Sequence, residues 1–455
     1  MSFAPLELPE VDDKRSFDAI DPFDGRYFDK QVSQYLSEGA RIRYQAYVEA
    51  ALAQTLVEND ITTQQIADEI EKAARTIDPV TVAEEEQRTK HDVKALVDTI
   101  KSQVSDEAKP FVHLTATSYD IVSTASAVQY REAVKNVLIP KLASLVELLE
   151  ELSDKYMDTV QIGRSHGQHG VPITFGYALS VYVERLNSSV RSLGVLMSKL
   201  QGKFSGAMGT YNASALFVDD PREFEKSIMD KLELTAAPRS TQIVPPETLT
   251  RLLCEVALAA GTMADLANDM RQLQRSEIAE IREKFDPNQT GSSTMAHKRN
   301  PISFENVVSI NKVVQANLTI ANQNLISEHQ RDLTDSASAR FYPLVLAGAA
   351  QMATRLQNAL SKIEVDEEAM KRNLELSGGA IAAEPVYLLL AKHGHTQAHE
   401  EAKRVAHLAM DSGVSYAEAI QQDDQLKDYW AKFTDEEKAI VENPAQNYLG
   451  LSKFS

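Results

Sequence analysis

The stretch of this sequence with the densest chemistry runs from Gly291 to Pro301. Its eleven residues include a glycine, three hydroxyl side chains, two fixed cations and an amide, and it follows the turn-forming triplet 286–288. Such a composition is typical of a loop that binds an anion. Gly-Ser-Ser alone would fit a flexible linker, but a linker seldom needs Met, Lys and Asn at fixed offsets. We therefore interpret the segment as an anion-binding loop.

Two further polar clusters each precede an apolar helical pattern. Thr89-Lys90-His91-Asp92 places an imidazole beside a carboxylate and a cation. Further along, Thr117 and Ser118 could present hydroxyls and backbone amides at a helix N-terminus, where an anion binds readily. Helix capping without a ligand is the commoner explanation for each cluster taken alone.

Two more clusters combine histidine or arginine with small polar groups. Three glycines surround His166 and His169 in the segment 163–170, which suggests backbone brought close to a ligand. A zinc site would need another ligand at helical spacing nearby, so we expect no metal here. Nearer the C-terminus, a four-residue gap predicts that Ser336 and Arg340 share one helical face and hold one anionic group. A surface ion-pair network is the alternative.

The overall composition limits the partners of this chain. Its 455 residues carry a formal net charge of -19, which argues against nucleic acid or an anionic membrane as the main partner. No apolar run approaches the roughly 20 residues that span a membrane, and residues 1–13 lack the pattern of a secretory signal. The single cysteine, Cys254, excludes an intramolecular disulfide and fits a reducing compartment. We expect a cytoplasmic protein that binds small anions.

Apolar residues recur at three-and-four spacing over long windows, and alternating strand-like stretches are almost absent. This pattern predicts an all-α fold, with an elongated central helical bundle flanked by two smaller helical end domains. The predicted long helices cover 138–152, 177–200, 249–281, 307–325 and 344–360, and loops and short irregular elements cover 202–242. The predicted domains are residues 1–115, residues 116–369 with the anion-binding loop at 288–301, and residues 370–455.

The longest predicted helix begins after Pro246 and has about 36 residues, or a length of ~54 Å. Helices of this length are longer than one compact domain, so we expect part of their apolar stripes to pack against other subunits. The sequence therefore predicts a homo-oligomer.

The anion-binding loop closely resembles Gly-Ser-Ser-x-Met-Pro-x-Lys-x-Asn, the signature of the fumarase/aspartase superfamily of lyases, with Ala296 in place of the proline. Seven segments occur in the order seen in the branch of that superfamily that cleaves adenylosuccinate. The resemblance implies β-elimination of fumarate from adenylosuccinate and from the succinyl-carboxamide ribotide of purine synthesis, with no metal or organic cofactor. The seven segments are Asp24–Tyr27, Lys90–Asp92, Thr117–Ser118, Ser165–Gln168, Ser240–Gln242, the signature loop and Gln330–Ser336.

The same resemblance assigns catalytic roles. A serine hydroxyl is a poor base near neutral pH, so it needs a desolvated, amide-rich and cationic loop. Ser292 matches that base, and Ser293 stays an alternative. His166 matches the general acid and Glu305 the carboxylate that orients it. The remaining catalytic matches are His91, near the substrate's phosphate or leaving group, and Lys298, which would hold a succinyl carboxylate.

The remaining matched positions would bind substrate, a small anionic nucleotide. They fall into groups that contact phosphate and ribose, groups that contact substrate carboxylates, and neighbours of these within the motifs. The positions that contact phosphate and ribose are Arg26, Tyr27, Arg331, Ser336 and Arg340. Those that contact substrate carboxylates are Thr117, Ser118, Gln242 and Asn300, and the neighbours within the motifs are Lys90, Asp92, Ser293 and Met295.

The resemblance also implies a tetramer in which each site draws segments from three subunits, in agreement with the length of the apolar stripes. Besides a plain metal-binding helical protein, which insensitivity to chelators would exclude, two other functions remain possible at this point. One is a sister lyase that acts on argininosuccinate, aspartate or malate, against which the Arg26, His91 and Arg331 clusters argue. The other is a catalytically silent homologue, which the joint presence of Ser292, His166, Lys298 and Glu305 disfavours.

Overall fold

The computed structural model describes residues 3–12, 15, 18–285, 294–295, 297–377 and 379–453. Helices dominate this part of the chain, which confirms the all-α prediction. The α-helices are α1 (Lys30–Leu36), α2 (Glu38–Glu58), α3 (Gln64–Arg75), α4 (Pro79–Thr89), α5 (Asp92–Ser102), α6 (Ser118–Ala133), α7 (Ile139–Lys155), α8 (Phe175–Met197), α9 (Pro221–Lys231), α10 (Glu247–Leu273), α11 (Ile302–Gln323), α12 (Pro343–Leu360), α13 (Glu367–Glu375), α14 (Ala383–Lys392), α15 (Ala398–Ser412), α16 (Tyr416–Gln422), α17 (Lys427–Trp430), α18 (Asp435–Glu442) and α19 (Pro444–Asn447).

Short elements complete this part of the chain. The strands form three two-stranded sheets, in the pairs β1–β2, β3–β4 and β5–β6. The strands are β1 (Val160–Ser165), β2 (Gln168–Thr174), β3 (Gln201–Gly202), β4 (Thr235–Ala236), β5 (Ile281–Arg282) and β6 (Glu364–Val365). There are 3₁₀ turns at Lys109–Phe111, Ser214–Leu216, Ser338–Phe341 and Ala380–Ala382, and a π-helical turn at Val134–Leu138 joins α6 to α7.

Four of the predicted long helices correspond to α7, α8, α11 and α12, but the longest prediction is wrong in length. Helix α10 has 27 residues and ends at Leu273, so it is ~40 Å long. The backbone N–H of Glu280 then donates to Leu273 O over 3.0 Å, with Ala279 in the left-handed region at φ 54°. Ile281 is buried in β5. The apolar side chain of Ile281 happens to continue the helical spacing, so the predicted helix extends past the end of α10. Periodicity alone cannot exclude this kind of error.

Helix α9 lies inside the region that we expected to contain only loops and short irregular elements. Asp220 caps it, because Oδ1 accepts from the backbone N–H groups of Arg222 and Glu223, each over 3.1 Å, and Pro221 occupies the first turn. An Asp-Pro pair is a strong helix-start signal. That signal was present in the sequence and the prediction overlooked it.

Close contacts divide the chain into two compact units. The first comprises residues 1–143, 187–264 and 307–354, and the second comprises 144–186, 265–306 and 355–455. In the first unit the central part of α2, residues 44–56, is buried almost throughout, with Val48 and Leu56 fully inaccessible. In the second, helices α14 to α18 enclose an apolar core of their own around Val386, Val405 and Ile420. The division into three domains stays a prediction.

No single helix among the described residues is long and apolar enough to cross a membrane. One bent pair, Glu367–Glu375 with Ala380–Lys392, meets the length and composition requirements only when its two helices are taken together.

Candidate active site

In the first unit, Arg331 is buried in a position that leaves two of its donors unpaired. Its guanidinium stacks over the Tyr119 ring, 4.0 Å from the centroid, and Nη2 donates to the Tyr119 hydroxyl and to Asp335 Oδ1, the latter over 2.8 Å. The side chain is 7% exposed, yet Nε and Nη1 are buried without a partner. A buried polar group without a hydrogen bond costs about 1–3 kcal/mol. The two donors therefore point to a ligand that accepts them.

The start of α6 lies beside Arg331. Tyr119, which stacks on the guanidinium, directly follows Ser118, the first residue of the helix. Thr117 is the N-cap, and its backbone N–H donates to Asp120 Oδ2 over 2.8 Å. The two predicted hydroxyls thus sit at a helix N-terminus, where free backbone amides and the helix dipole favour an anion.

Gln242 reaches the same neighbourhood through the backbone. Its N–H donates to the carbonyl of Gln330 over 3.3 Å, and Gln330 precedes Arg331 in the chain. The residue itself is half-buried. Three segments that are far apart in sequence therefore meet around Arg331.

Ser336 and Arg340 do not share one α-helical face, so that prediction is wrong. Ser336 lies in an exposed turn, and Arg340 follows in the 3₁₀ turn Ser338–Phe341, because the chain does not form a regular α-helix here. Arg340 Nη1 donates to Glu38 and Nη2 lies 3.8 Å from Asp92 Oδ2. The ion-pair network that we weighed as the alternative is therefore present at Arg340.

The contact with Arg340 connects Asp92 and its neighbour His91 to the segment that follows Arg331. His91 is the N-cap of α5, and its Nδ1 accepts from the backbone N–H of Lys94 over 3.2 Å. This hydrogen bond orients the ring and involves only one of its two nitrogens. Lys90 ends α4 in the left-handed region at φ 55° and is exposed.

Arg26 and Tyr27 lie in a turn ahead of α1, where the backbone N–H of Tyr27 donates to Pro22 O over 2.9 Å. Arg26 is exposed, and the Tyr27 ring packs against Phe23 at 5.9 Å between centroids. Phe23 in turn lies beside Gly348 of α12. The structure thus anchors this segment to a helix of the first unit.

His113 is a titratable group that the sequence analysis did not assign. Its Nδ1 lies 2.6 Å from Glu49 Oε1, and the Glu49 side chain is 1% exposed. Both His113 and Thr115 adopt the left-handed backbone conformation, at φ 65° and 67°. Strain of this kind gathers at functional sites, and here it lies just before Thr117. The left-handed conformation has no reliable sequence signal for histidine or threonine.

The His113–Glu49 pair predicts a pH-dependent stability. Burial opposes the charged imidazole, but the Glu49 carboxylate outweighs it and raises the pKa of His113 above its ordinary value. A raised histidine pKa contributes stability below about pH 6.5 and loses it as pH rises through the folded-state pKa. The Tm difference between wild type and His113→Gln should therefore shrink from acidic towards alkaline pH. A difference that stays constant with pH in thermal melts would contradict this.

In the second unit, His166 occupies the tip of a β-hairpin that the sequence analysis missed. Strands β1 and β2 are antiparallel, and His166 and Gly167 form the two-residue connection between them, at φ 55° and 72°. Positive φ at both positions defines a type I′ turn. The imidazole is exposed and makes no hydrogen bond or ion pair to another described residue. A short glycine-rich segment can form a hairpin or a loop, which is why the pattern alone gave no strand.

A buried carboxylate fixes this hairpin in place. Glu280 is fully buried, and its two oxygens accept from Arg164 of β1, over 2.6 Å from Nη2 and 3.2 Å from Nη1. Asn373 of α13 donates to Glu280 Oε1 over 2.7 Å. The bidentate arginine contact gives the strand that leads to His166 a defined orientation.

The signature loop lies only partly within the described residues: Ser292, Ser293 and Ala296 are outside them. Its two ends are joined by contacts that sequence reasoning missed. Glu283 Oε1 accepts from the backbone N–H groups of Ser303 and Phe304, over 2.9 and 3.0 Å, and so caps α11. Gln274 accepts from the N–H of Glu283 over 3.0 Å and donates to Arg299 O over 3.2 Å.

The described part of the loop leaves its predicted functional groups accessible. Met295 and Lys298 are exposed, Asn300 is half-buried, and the backbone N–H of Lys298 donates to Met295 O over 3.0 Å. Glu305 lies in the first turn of α11, is half-exposed, and sits 3.8 Å from Arg271 Nε. Its pairing with His166 stays a prediction.

Among the residues that the structure describes, no group of three or more His, Cys, Asp or Glu side chains could hold a metal ion. His169, the second histidine of the hairpin, has Nδ1 2.7 Å from Ser377 Oγ.

Two family models match this chain. One, described as Lyase, covers residues 19–316, and the other, described as Adenylosuccinate lyase C-terminal, covers residues 327–435. The solved fumarate lyase from Mesorhizobium sp. BNC1 superposes with a TM-score of 0.82 at 22% identity, covering 94% of this chain and 96% of its own. The class is therefore that of lyases with the fumarate lyase fold.

Two similar sequences identify the family within this class to which the chain belongs. The adenylosuccinate lyase of Pyrococcus abyssi is 34% identical over 441 residues, covering 96% of each chain. That of Archaeoglobus fulgidus is 33% identical over 440 residues, covering 95% of this chain and 96% of its own. The chain belongs to the adenylosuccinate lyase family, which confirms the resemblance carried by its motifs.

Proposed function

We propose that this chain eliminates fumarate from adenylosuccinate, giving AMP, and from succinyl-aminoimidazole-carboxamide ribotide, giving AICAR. The observation that carries the proposal is the buried Arg331 guanidinium with two unpaired donors. A desolvated, unsatisfied cation in a chain of net charge -19 suits a phosphate or carboxylate. The N-terminus of α6, with Thr117 and Ser118, offers amides to a second anionic group.

The reaction needs three groups. A base takes the proton from the carbon beside a carboxylate, cations and amides stabilise the carbanion, and an acid protonates the departing nitrogen. Ser292 is the proposed base, and Lys298 and Asn300 stabilise the charge that develops on the neighbouring carboxylate. His166 is the proposed acid, because an exposed imidazole at a hairpin tip can approach the leaving nitrogen and donate a proton to it. Glu305 then stabilises the charged imidazole.

A homotetramer with shared sites is part of this proposal. Long helices keep large apolar side chains exposed in the isolated chain, among them Val181 and Val195 of α8, Leu258 of α10 and Val313 of α11. Leu258 is 63% exposed, and further copies of the chain would cover such stripes. Within one chain Glu305 Oε1 lies 3.8 Å from Arg271 Nε, and its pairing with His166 of another subunit is part of the proposal.

Shared sites can be tested by mixing two inactive variants. If His166 and Ser292 of one site come from different subunits, a mixed tetramer of His166→Asn and Ser292→Ala chains contains some intact sites. Refolding the two variants together should then restore activity that neither has alone. A wild-type chain that is monomeric by light scattering yet fully active would contradict the proposal.

Replacing Arg331 with methionine should raise KM for adenylosuccinate by about 10²-fold, because charge-assisted hydrogen bonds to an anion contribute about 1.5–3 kcal/mol each. The kcat should change much less, since no proton transfer involves this group. Steady-state kinetics would separate the two effects.

A matched control is Arg131→Met. Arg131 is also largely buried, but its Nη1 donates to the backbone carbonyls of Leu232 and Glu233. That variant should lose thermal stability and keep its KM. An Arg331→Met enzyme with unchanged KM would remove the main support for the site.

The overall activity is tested by following the ultraviolet absorbance of adenylosuccinate as purified chain is added. Argininosuccinate, aspartate and malate are assayed separately as alternative substrates. Turnover of one of these, and not of adenylosuccinate, would favour a sister lyase. A folded chain inactive on all substrates would favour a silent homologue. We also propose a cytoplasmic location, in keeping with the single cysteine, Cys254.

A further inference from the structure

A fully buried ion pair lies directly beneath the start of α6. Lys203 Nζ donates to Asp120 Oδ1, and both side chains are 0% exposed. Lys203 Nζ also donates to Gly206 O over 3.0 Å, and the N–H of Gly206 donates to Asp120 Oδ1 over 3.2 Å. The second oxygen of Asp120 accepts from the N–H of Thr117 over 2.8 Å. One carboxylate thus holds both the N-cap of α6 and the loop at Gly206.

This loop connects the ion pair to a second substrate-binding segment. The hydroxyls of Ser205 and Ser240 lie 2.6 Å apart. Gly209 packs so tightly on the same serine that an added Cβ would come within 2.1 Å of Ser240 O. Ser240 stands two residues before Gln242, whose N–H donates to Gln330 O.

The far side of the loop is also fixed by a buried carboxylate. Glu225 is 2% exposed, and its oxygens accept from the N–H of Phe204 and from the hydroxyl of Tyr211, each over 2.6 Å. The loop from Lys203 to Tyr211 is therefore held from two directions, by Asp120 and by Glu225.

We propose that Asp120 and Lys203 are positioning residues that set the distance between two parts of the substrate site: Thr117 with Ser118, and the Ser240–Gln242 segment. Removing a pair of charges from water costs several kcal/mol per ion, and an apolar pair could fill the same space. An apolar pair could not hold the Thr117 N–H, the Gly206 N–H and the Gly206 carbonyl at once. This inference rests on the proposed function, because it needs those segments to contact substrate.

The decisive variant is the double substitution Asp120→Asn with Lys203→Met. It leaves no unpaired buried charge, so it should fold better than Lys203→Met alone. Asparagine offers one acceptor oxygen to two N–H donors, and methionine gives nothing to Gly206 O, so the loop should separate from α6. A displacement of about 1 Å in a binding group can cost 10²-fold. We expect KM to rise at least tenfold and kcat/KM to fall by about 10²-fold, with the pH profile of kcat unchanged.

Three measurements distinguish positioning from plain stability. Tm of the double variant should recover relative to Lys203→Met while KM does not, and amide exchange should rise at Thr117 and Gly206. The control Arg404→Met breaks an ion pair to Asp423 in the second unit, with N–O distances of 2.7 and 2.9 Å, and should lower Tm without changing KM. A double variant whose KM lies within twofold of wild type would overturn the proposal.

If the double variant does not fold, Ser205→Ala provides the test instead. It removes the hydroxyl contact with Ser240 through which the same loop holds the Ser240–Gln242 segment. A severalfold rise in KM is then expected, and an unchanged KM would overturn the inference. Wild type is assayed in parallel. A wild type that does not turn over adenylosuccinate contradicts the proposed function, whereas an active wild type with unaffected variants contradicts only the inference.

Discussion

Replacing His166 with asparagine is expected to lower kcat for adenylosuccinate by about 10²- to 10⁴-fold, the usual contribution of a general acid, while the protein stays folded. His166 is the first central residue of a type I′ turn, at φ 55°. Asparagine is the side chain that best tolerates this conformation. The substitution therefore removes the imidazole and keeps the backbone that presents it.

The kinetic signature of that loss is specific. Without the acid, the chemical step should limit the rate, so a single turnover should slow by about the same factor as kcat. KM should change little, because the acid acts mainly in the transition state. Stopped-flow measurement of a single turnover, beside a thermal melt, would check both points. An asparagine variant that keeps more than a tenth of wild-type kcat would rule out His166 as the acid.

Gly167→Ala is the matched control for the turn itself. Gly167 has φ 72°, and an added Cβ would meet no atom within 4 Å, so the change imposes backbone strain of about 1–2 kcal/mol and no clash. Tm should fall in this variant while the imidazole remains present. If Gly167→Ala lowers kcat as much as His166→Asn does, the backbone of the hairpin and not the imidazole explains the effect.

The sequence predicted the helices well where an apolar stripe ran unbroken, as in α7, α8, α11 and α12. It failed where a local signal competed with the stripe. The Asp220-Pro221 cap of α9 was overlooked, and Ile281 extended the α10 prediction into a strand. Periodicity reports only which residues face a core, and residues in turns and two-residue strands can share that spacing.

The candidate site was predicted as a set of motifs but not as a set of contacts. Tyr119 directly follows Ser118 in the sequence, yet only the fold shows that its ring stacks on Arg331, 212 residues away. Lys203 had no motif at all, and its pairing with Asp120 spans 83 residues. Motifs identify residue types that suit a reaction, whereas hydrogen-bond partners between distant segments depend on packing that no local pattern encodes.

The largest loss of activity is expected from Ser292→Ala. By its match to the family signature, Ser292 is the proposed base that takes the proton at the start of the elimination, and alanine cannot accept that proton. We expect kcat to fall by at least about 10³-fold, towards the upper end of the range for a lost general base. Ser293→Ala should keep most of the activity. Both serines lie outside the described residues, so kinetics are the direct way to distinguish them.

Substrate binding provides the control for this comparison. Glu283 and Gln274 hold the two ends of the loop, and neither substitution changes those residues. The Kd for adenylosuccinate, measured by calorimetry on the slow variants, should therefore stay close to that of wild type. If Ser293→Ala is the inactive variant, the base is Ser293, and two active variants would show that neither serine is the base.

The double variant Ser292→Ala with His166→Asn tests whether base and acid serve one reaction. Residues that act as a unit are strongly non-additive, because once one is lost the other has little left to assist. The double variant should then be scarcely slower than the slower single variant. Multiplicative losses would instead mean that each group still makes its full contribution when the other is absent, and the proposed cooperation of base and acid within one elimination would fail.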